Sequence, residues 1–211
     1  METKLSKFFL KLSKISASIG VVLVLVFYAP SFYYLALGGS SNNSEVLAKP
    51  PGGGFEGIAR ELQSEDTYQP NQDRTLPEEN LLKIPSVGID TQIHEATYEN
   101  HEDALRKGVW RVGDFGDPFY RSRPTILAAH RYGYLAWSIP YRLTNSFYNL
   151  PKVEVGDIVT IVWKQREYKY EIVKAEKGTE ITDYTADLIL YTCESLNSDI
   201  RIFRYGRLIR G

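Results

Sequence analysis

Cysteine is nearly absent. Cys193 is the one thiol in 211 residues, so the chain cannot close an internal disulfide. Such a cysteine is either a small buried hydrophobe or a reactive thiol. A charge surplus is missing as well: 25 Lys and Arg stand against 26 Asp and Glu, a net −1. That balance leaves no electrostatic footprint for nucleic acid, and nucleic acid is excluded as an expected partner. Histidine is scarce, at three residues. No internal repeat is visible, and no long helical period occurs after about residue 80, which excludes an all-helical domain. Aromatics, by contrast, are plentiful at 13%, with fifteen tyrosines, and lean toward β structure.

One long hydrophobic run is present, and it lies at the start. Lys4, Lys7, Lys11 and Lys14 against Glu2 precede an uncharged stretch from Ile15 to Gly39, and the next charge is Glu45. A signal-peptide core is about 7–15 residues and a bilayer span about 20. The length therefore predicts a retained transmembrane anchor over residues 16–37 behind a basic cytoplasmic segment, 1–15. Pro30 would kink it, which a membrane helix tolerates. The lysines place the N-terminus in the cytoplasm and the rest outside: a single-pass protein of the cell membrane with an extracellular domain. Ala36 and Gly38 leave a cleaved signal open as the alternative. Residues up to 44 carry +3, so the remainder of a chain of net −1 carries −4 and offers an anionic polymer no attraction.

Residues 38–79 read as a linker, because Gly, Ser, Asn and Pro dominate their first half. Within them "FEGIARELQ" (55–63) has helical spacing. From about 80 the texture is that of short strands: two in "LLKIPSVGIDTQIHEA", one in "RPTILAAH" (123–130), two in 155–178 with "KQRE" as the turn, one in "DLILYTC" (187–193), and "RIFRYGRLI" (201–209) closing the chain. "HEDALRKGVW" (101–110) holds one helical turn. Closely spaced strands with turn signals predict an all-β sandwich or barrel over 80–211.

A thiol acts as a nucleophile only as thiolate and needs a base or a cation beside it. His94 alternates with Ile93 on a strand and His101 sits in a polar stretch; both read as surface residues. His130 ends an apolar strand, and Cys193 ends another. Strand ends are where a rigid scaffold hands side chains to a loop-lined site, so the two can meet at one rim of a barrel. They are 63 positions apart, and spacing alone does not join them.

Five segments, taken in order, resemble the sortases, membrane-anchored cysteine transpeptidases of the bacterial surface. "LLKIPSVGIDTQI" resembles the opening strands of that family, and "LRKGVWRVG" the stretch that follows. "ILAAHR" (126–131) is similar to its His segment, with Ala129 in place of the usual Gly. "FYNLPKVEVGDIVTI" (147–161) resembles an F-x-x-L…GD-x-V element, and "LYTC" with Arg201 resembles TLxTC…R. The resemblance spans about 80–211 and implies a closed barrel of about eight strands with short helical turns. It implies that Cys193 attacks a peptide carbonyl in an LPxTG-like sorting signal, forming a thioacyl enzyme. His130 then protonates the leaving amine, and an amine of the cell wall or a pilin takes the acyl group. Arg201, five residues before the small Gly206, holds the substrate carbonyl or the oxyanion. By strand alternation Arg201 and Arg207 share a face with Phe203 and Tyr205, and Arg204 takes the other; the remaining arginines read as a solvated edge. Thr192 beside the nucleophile, and Tyr132, Tyr134 and Trp137 of the aromatic loop 131–150, are the candidate substrate-binding residues, with packing as the alternative for each. "DPFY" (117–120) echoes a lid motif of pilin-assembling sortases but lies inside the barrel sequence, and reads as an ordinary loop. No acidic cluster for calcium follows "EIVKAEKG", and no metal or cofactor is expected. Two other classes stay open: another exported cysteine hydrolase or peptidoglycan transpeptidase, and a non-catalytic surface domain with an inert Cys193.

Overall fold

The computed structural model describes residues 68–211 apart from Asn197, together with Ser16. The expected anchor over 16–37, Ser16 aside, and the helical stretch 55–63 lie outside the described residues. Among the described residues no helix is long and apolar enough to cross a membrane.

Eight strands close into a barrel. They are β1 (Leu81–Ile84), β2 (Ile89–Ala96), β3 (Val109–Val112), β4 (Thr125–Ala128), β5 (Ile158–Trp163), β6 (Arg166–Gly178), β7 (Leu188–Cys193) and β8 (Arg201–Leu208). Their order around the barrel is β1-β2-β3-β4-β7-β8-β6-β5, and β5 pairs with β1 to complete it. Two helices interrupt them, α1 (His101–Leu105) between β2 and β3, and α2 (Ile139–Asn145) between β4 and β5. Strand β3 and helix α2 are additions to the elements expected from sequence. The β4 strand stops at Ala128, so His130 lies just beyond its end.

The β1–β2 connection is a 3₁₀ turn at Pro85–Val87, where Pro supplies the fixed φ and Gly88 ends the turn at φ 71. The β5–β6 hairpin turns at Lys164 and Gln165, both at positive φ, as a two-residue loop requires. β2 runs parallel to β3, and β4 parallel to β7, so both joins need crossovers. α1 supplies part of the first.

Alternation along the strands builds two cores. The inner one takes Leu82, Ile84, Ile93, Val109, Leu127, Val159, Ile161, Tyr168, Tyr170, Leu188 and Leu190, and fills the barrel. The outer one lies on β3, β4, β7 and β8: Trp110, Ile126, Ala128, Ile189, Tyr191, Cys193, Phe203 and Tyr205, covered by Ala104 and Leu105 of α1 and by Ile181 and Ala186. Strands β4 and β7 are thus buried on both faces, which explains their unbroken apolar run.

The solvated-edge reading of the late arginines fails for Arg204. β8 pairs with both β6 and β7 and is no edge. Arg204 is buried and donates to the carbonyls of Val153 (2.6 Å), Pro151 (2.8 Å) and Phe203 (2.8 Å). Gly206, two residues on, faces the same interior: a Cβ there would stand 3.2 Å from Tyr170 Cβ and 3.4 Å from Leu188 Cβ. Arg207 and Arg210 are exposed, as a solvated role requires.

Part of the stretch read as linker lies against the barrel. Tyr168 donates to Gln69 Oε1 (2.7 Å), Gln69 donates to the Phe119 carbonyl (2.6 Å), and Asp73 N–H donates to the Gln165 carbonyl (2.8 Å). The segment Asp117–Tyr120 is a loop turn, in which Asp117 Oδ1 accepts from the N–H groups of Phe119 and Tyr120 at 2.8 Å.

Candidate active site

Cys193 and Arg201 are direct cross-strand partners at the rim of the β7–β8 pair. Side chains so placed on adjacent antiparallel strands have Cβ atoms about 4.5–5.5 Å apart. Both are buried, Cys193 at 8% exposure and Arg201 at 3%. The Arg201 guanidinium is held from below by its own loop, donating through Nη1 to the Ser198 carbonyl (2.6 Å).

His130 comes to the same rim from the other side of β7. The β4–β7 register pairs Ala128 with Tyr191, and the Ala129 N–H donates onward to the Tyr191 carbonyl. Continuing that register by two residues sets His130 level with Cys193 on the outer face. Thr192 fastens the join: its hydroxyl donates to the Ala129 carbonyl at 2.8 Å, and the residue is fully buried. Thr192 is therefore a tie between the two site strands, with its hydroxyl turned away from any exposed surface. Arg131, the residue after His130, donates to the Glu194 carbonyl just past Cys193, a second tie across the same seam.

Electrostatics favour the neutral forms of Cys193 and His130. Burial pushes the Cys193 thiol above its ordinary value, and Arg201 only partly offsets it. His130 is held down to about 4, first by burial, with Glu102 acting upward and His101 and Arg106 downward. A thiol and an imidazole thus stand at one rim beside a fixed guanidinium, groups whose chemistry allows proton exchange between them.

The aromatic loop divides. Tyr134 approaches His130, with its hydroxyl 3.1 Å from Nε2. Trp137 stacks edge-on against Tyr134 at 5.3 Å and donates to the Arg106 carbonyl. Tyr132 lies against Tyr148 instead, at 6.2 Å. Leu135 and Ile139 beside them are exposed. His94 and His101 are both half-buried rather than open surface. The His101 ring packs 5.4 Å from that of Trp110. Glu102 and Arg106 escaped sequence reading. Their one signal was a helical turn, and nothing in its spacing pointed to His130.

Among the described residues no group of three or more His, Cys, Asp or Glu is placed to hold a metal ion.

Comparison with known proteins gives this arrangement its class. The family model of the Sortase domain matches residues 82–209, more than half of the chain. The chain belongs to the sortase family. Among solved structures it is similar to sortase C-1 from Actinomyces oris, at 17% identity and TM-score 0.51, covering 78% of this chain and 86% of that one. It is similar also to sortase C1 of Streptococcus agalactiae in its complex with MTSET, at 17% identity and TM-score 0.50, covering 83% and 95%. At that identity the likeness is one of fold. A search of curated proteins finds no match.

Proposed function

We propose that this sortase is a cysteine transpeptidase in which Cys193, His130 and Arg201 carry the reaction. The observation that supports it most is the pairing of Cys193 with Arg201 across β7 and β8, with His130 delivered to the same rim by β4. The Cys193 proton passes to His130 as sulfur attacks a peptide carbonyl of the sorting signal. Arg201 stabilises the oxygen as it gains charge. The C–N bond then breaks, the imidazolium gives its proton to the departing amine, and a thioester remains. An incoming amine attacks that thioester, His130 takes its proton, and the C–S bond breaks to return the thiol. The substrate class is an LPxTG-like signal of a surface protein, and the acceptor an amine of the cell wall or a pilin. An anchor over residues 16–37 would hold the domain at the outer face of the cell membrane.

Mixing the purified chain with LPxTG-like peptides and hydroxylamine or glycine peptides, with mass spectrometry of products and enzyme, tests this. Transfer product that is absent with Cys193→Ala is expected. Hydrolysis without transfer would instead mark a cysteine hydrolase. No product, together with a Cys193 that does not alkylate even above the ordinary thiol range of pH, would leave a non-catalytic domain.

A further inference from the structure

The Tyr134 hydroxyl is shared between two partners. It lies 3.1 Å from His130 Nε2 and it donates to Glu102 Oε1. A hydroxyl has one proton, and a carboxylate can only accept. With that proton on the Glu102 side, the phenol oxygen can meet His130 only as an acceptor, and the nitrogen facing it must carry the hydrogen.

We propose that Glu102 and Tyr134 are positioning residues that hold His130 as its Nε2–H tautomer, leaving Nδ1 as the free base of the ring. Their part in turnover rests on the transpeptidase reading above; the tautomer does not. Burial and the Glu102 charge both push the Tyr134 hydroxyl above its ordinary value, so it keeps its proton. When His130 accepts a second proton at Nδ1, the Nε2–H bond is undisturbed, and the Glu102 charge lies one hydroxyl away to offset the imidazolium. The groups that act on His130 are Glu102 and His101 from α1, Arg106 at its end and Tyr134 from the loop, while the β4–β7–β8 register sets Cys193 and Arg201 level with it. Glu102 is the one carboxylate among them.

The frame around the pair is built to hold it. The Tyr134 ring meets the imidazole edge-on, at 5.3 Å and 86°. Arg106 lies over the Tyr134 ring at 4.8 Å and reaches Glu102 at 3.6 Å. Arg142, buried in α2, donates to the carbonyls of Tyr132 (2.6 Å) and Tyr134 (3.1 Å), fixing the loop from behind.

Nitrogen NMR of the full chain in detergent micelles, labelled at histidine and assigned with His130→Gln, reads the tautomer directly. At neutral pH the Nε2–H form is expected. Tyr134→Phe keeps the ring and removes the acceptor, so a mixture of tautomers should result. Glu102→Ala frees the hydroxyl to donate to Nε2 and should turn the ring to Nδ1–H. Glu102→Gln, whose amide oxygen still accepts, should restore Nε2–H, a rescue that a merely structural role would not produce. Acyl transfer run in parallel should fall about tenfold in kcat for Glu102→Ala with KM little changed, the scale of one lost hydrogen bond. An Nδ1–H ring in the unmodified chain, or one tautomer throughout the series, would overturn the proposal. A chain that shows the tautomer series and transfers no acyl group would keep the network and overturn the transpeptidase reading instead.

Discussion

Burial and the Arg201 guanidinium act on the Cys193 proton in opposite directions, and burial is the larger. The thiolate is therefore a minority species in the substrate-free protein at neutral pH. Alkylation of Cys193 by iodoacetamide should be slow at pH 7 and should rise as pH climbs past the ordinary thiol range. Arg201→Ala should move that rise to still higher pH, because the cation lowers the thiol's pKa; a midpoint that stays put would detach Arg201 from the nucleophile. At this scale the sequence was informative where a residue type has few roles. A lone thiol, a strand-end imidazole and an arginine at a strand start are each chemically conspicuous. Glu102 was not, because a glutamate on a polar helical turn looks like any solvated one. Its distinction is that α1 is folded onto Tyr134, 32 residues further on, which no spacing rule encodes.

The loop between β4 and α2 is the element on which the site most depends, and Gly133 is its tightest point. At φ 69 the backbone there is left-handed, and a Cβ would fall 2.0 Å from the Trp137 ring. Gly133→Ala should push Trp137 and then Tyr134 out of place. We expect about 1–3 kcal/mol of lost stability in denaturant unfolding, the range for a strained backbone position. The same variant should quench the distinct histidine signature of His130. Among the elements, those with a clear period or an unbroken apolar run were legible: β1, β2, β4 to β8 and α1. The four-residue β3 was not, since "VWRV" is too short to show alternation and carries Arg111 at its third position. Helix α2 was hidden because Pro140 reads as a breaker, although it sits in the first helical turn where proline is tolerated. The arginines of β8 misled for a related reason. Alternation assigned their faces correctly, but a charged residue can face inward when carbonyls at the barrel mouth receive it, as Arg204 does.

The whole molecule carries a pH dependence that begins at His130. The imidazole's ordinary value is 6.5 and the fold holds it at about 4. The unfolded chain therefore binds the proton first as pH falls, and stability is lost between those values. The full contribution is present above pH 6.5 and is on the order of 3 kcal/mol. Denaturant unfolding at pH 7 and pH 4.5 should show a larger loss for the native chain than for His130→Gln; equal losses would mean the ring is not desolvated in solution. The closed barrel itself was foreseen as strands and turns, yet its closure depends on pairings between distant segments. The parallel seam of β4 and β7 is the most consequential of these. The hydrogen bond of Thr192 to Ala129 spans 63 positions, and the hairpin of β5 and β6 must be passed before it can form. Contacts of such long range are slow to make. Until β7, already paired with β8, joins β4, Cys193 has its arginine but lacks its histidine and the cover that β3, β4 and α1 provide. A chain in which that seam is still open leaves its thiol exposed to oxidants, and the speed of closure sets how many molecules keep it reduced.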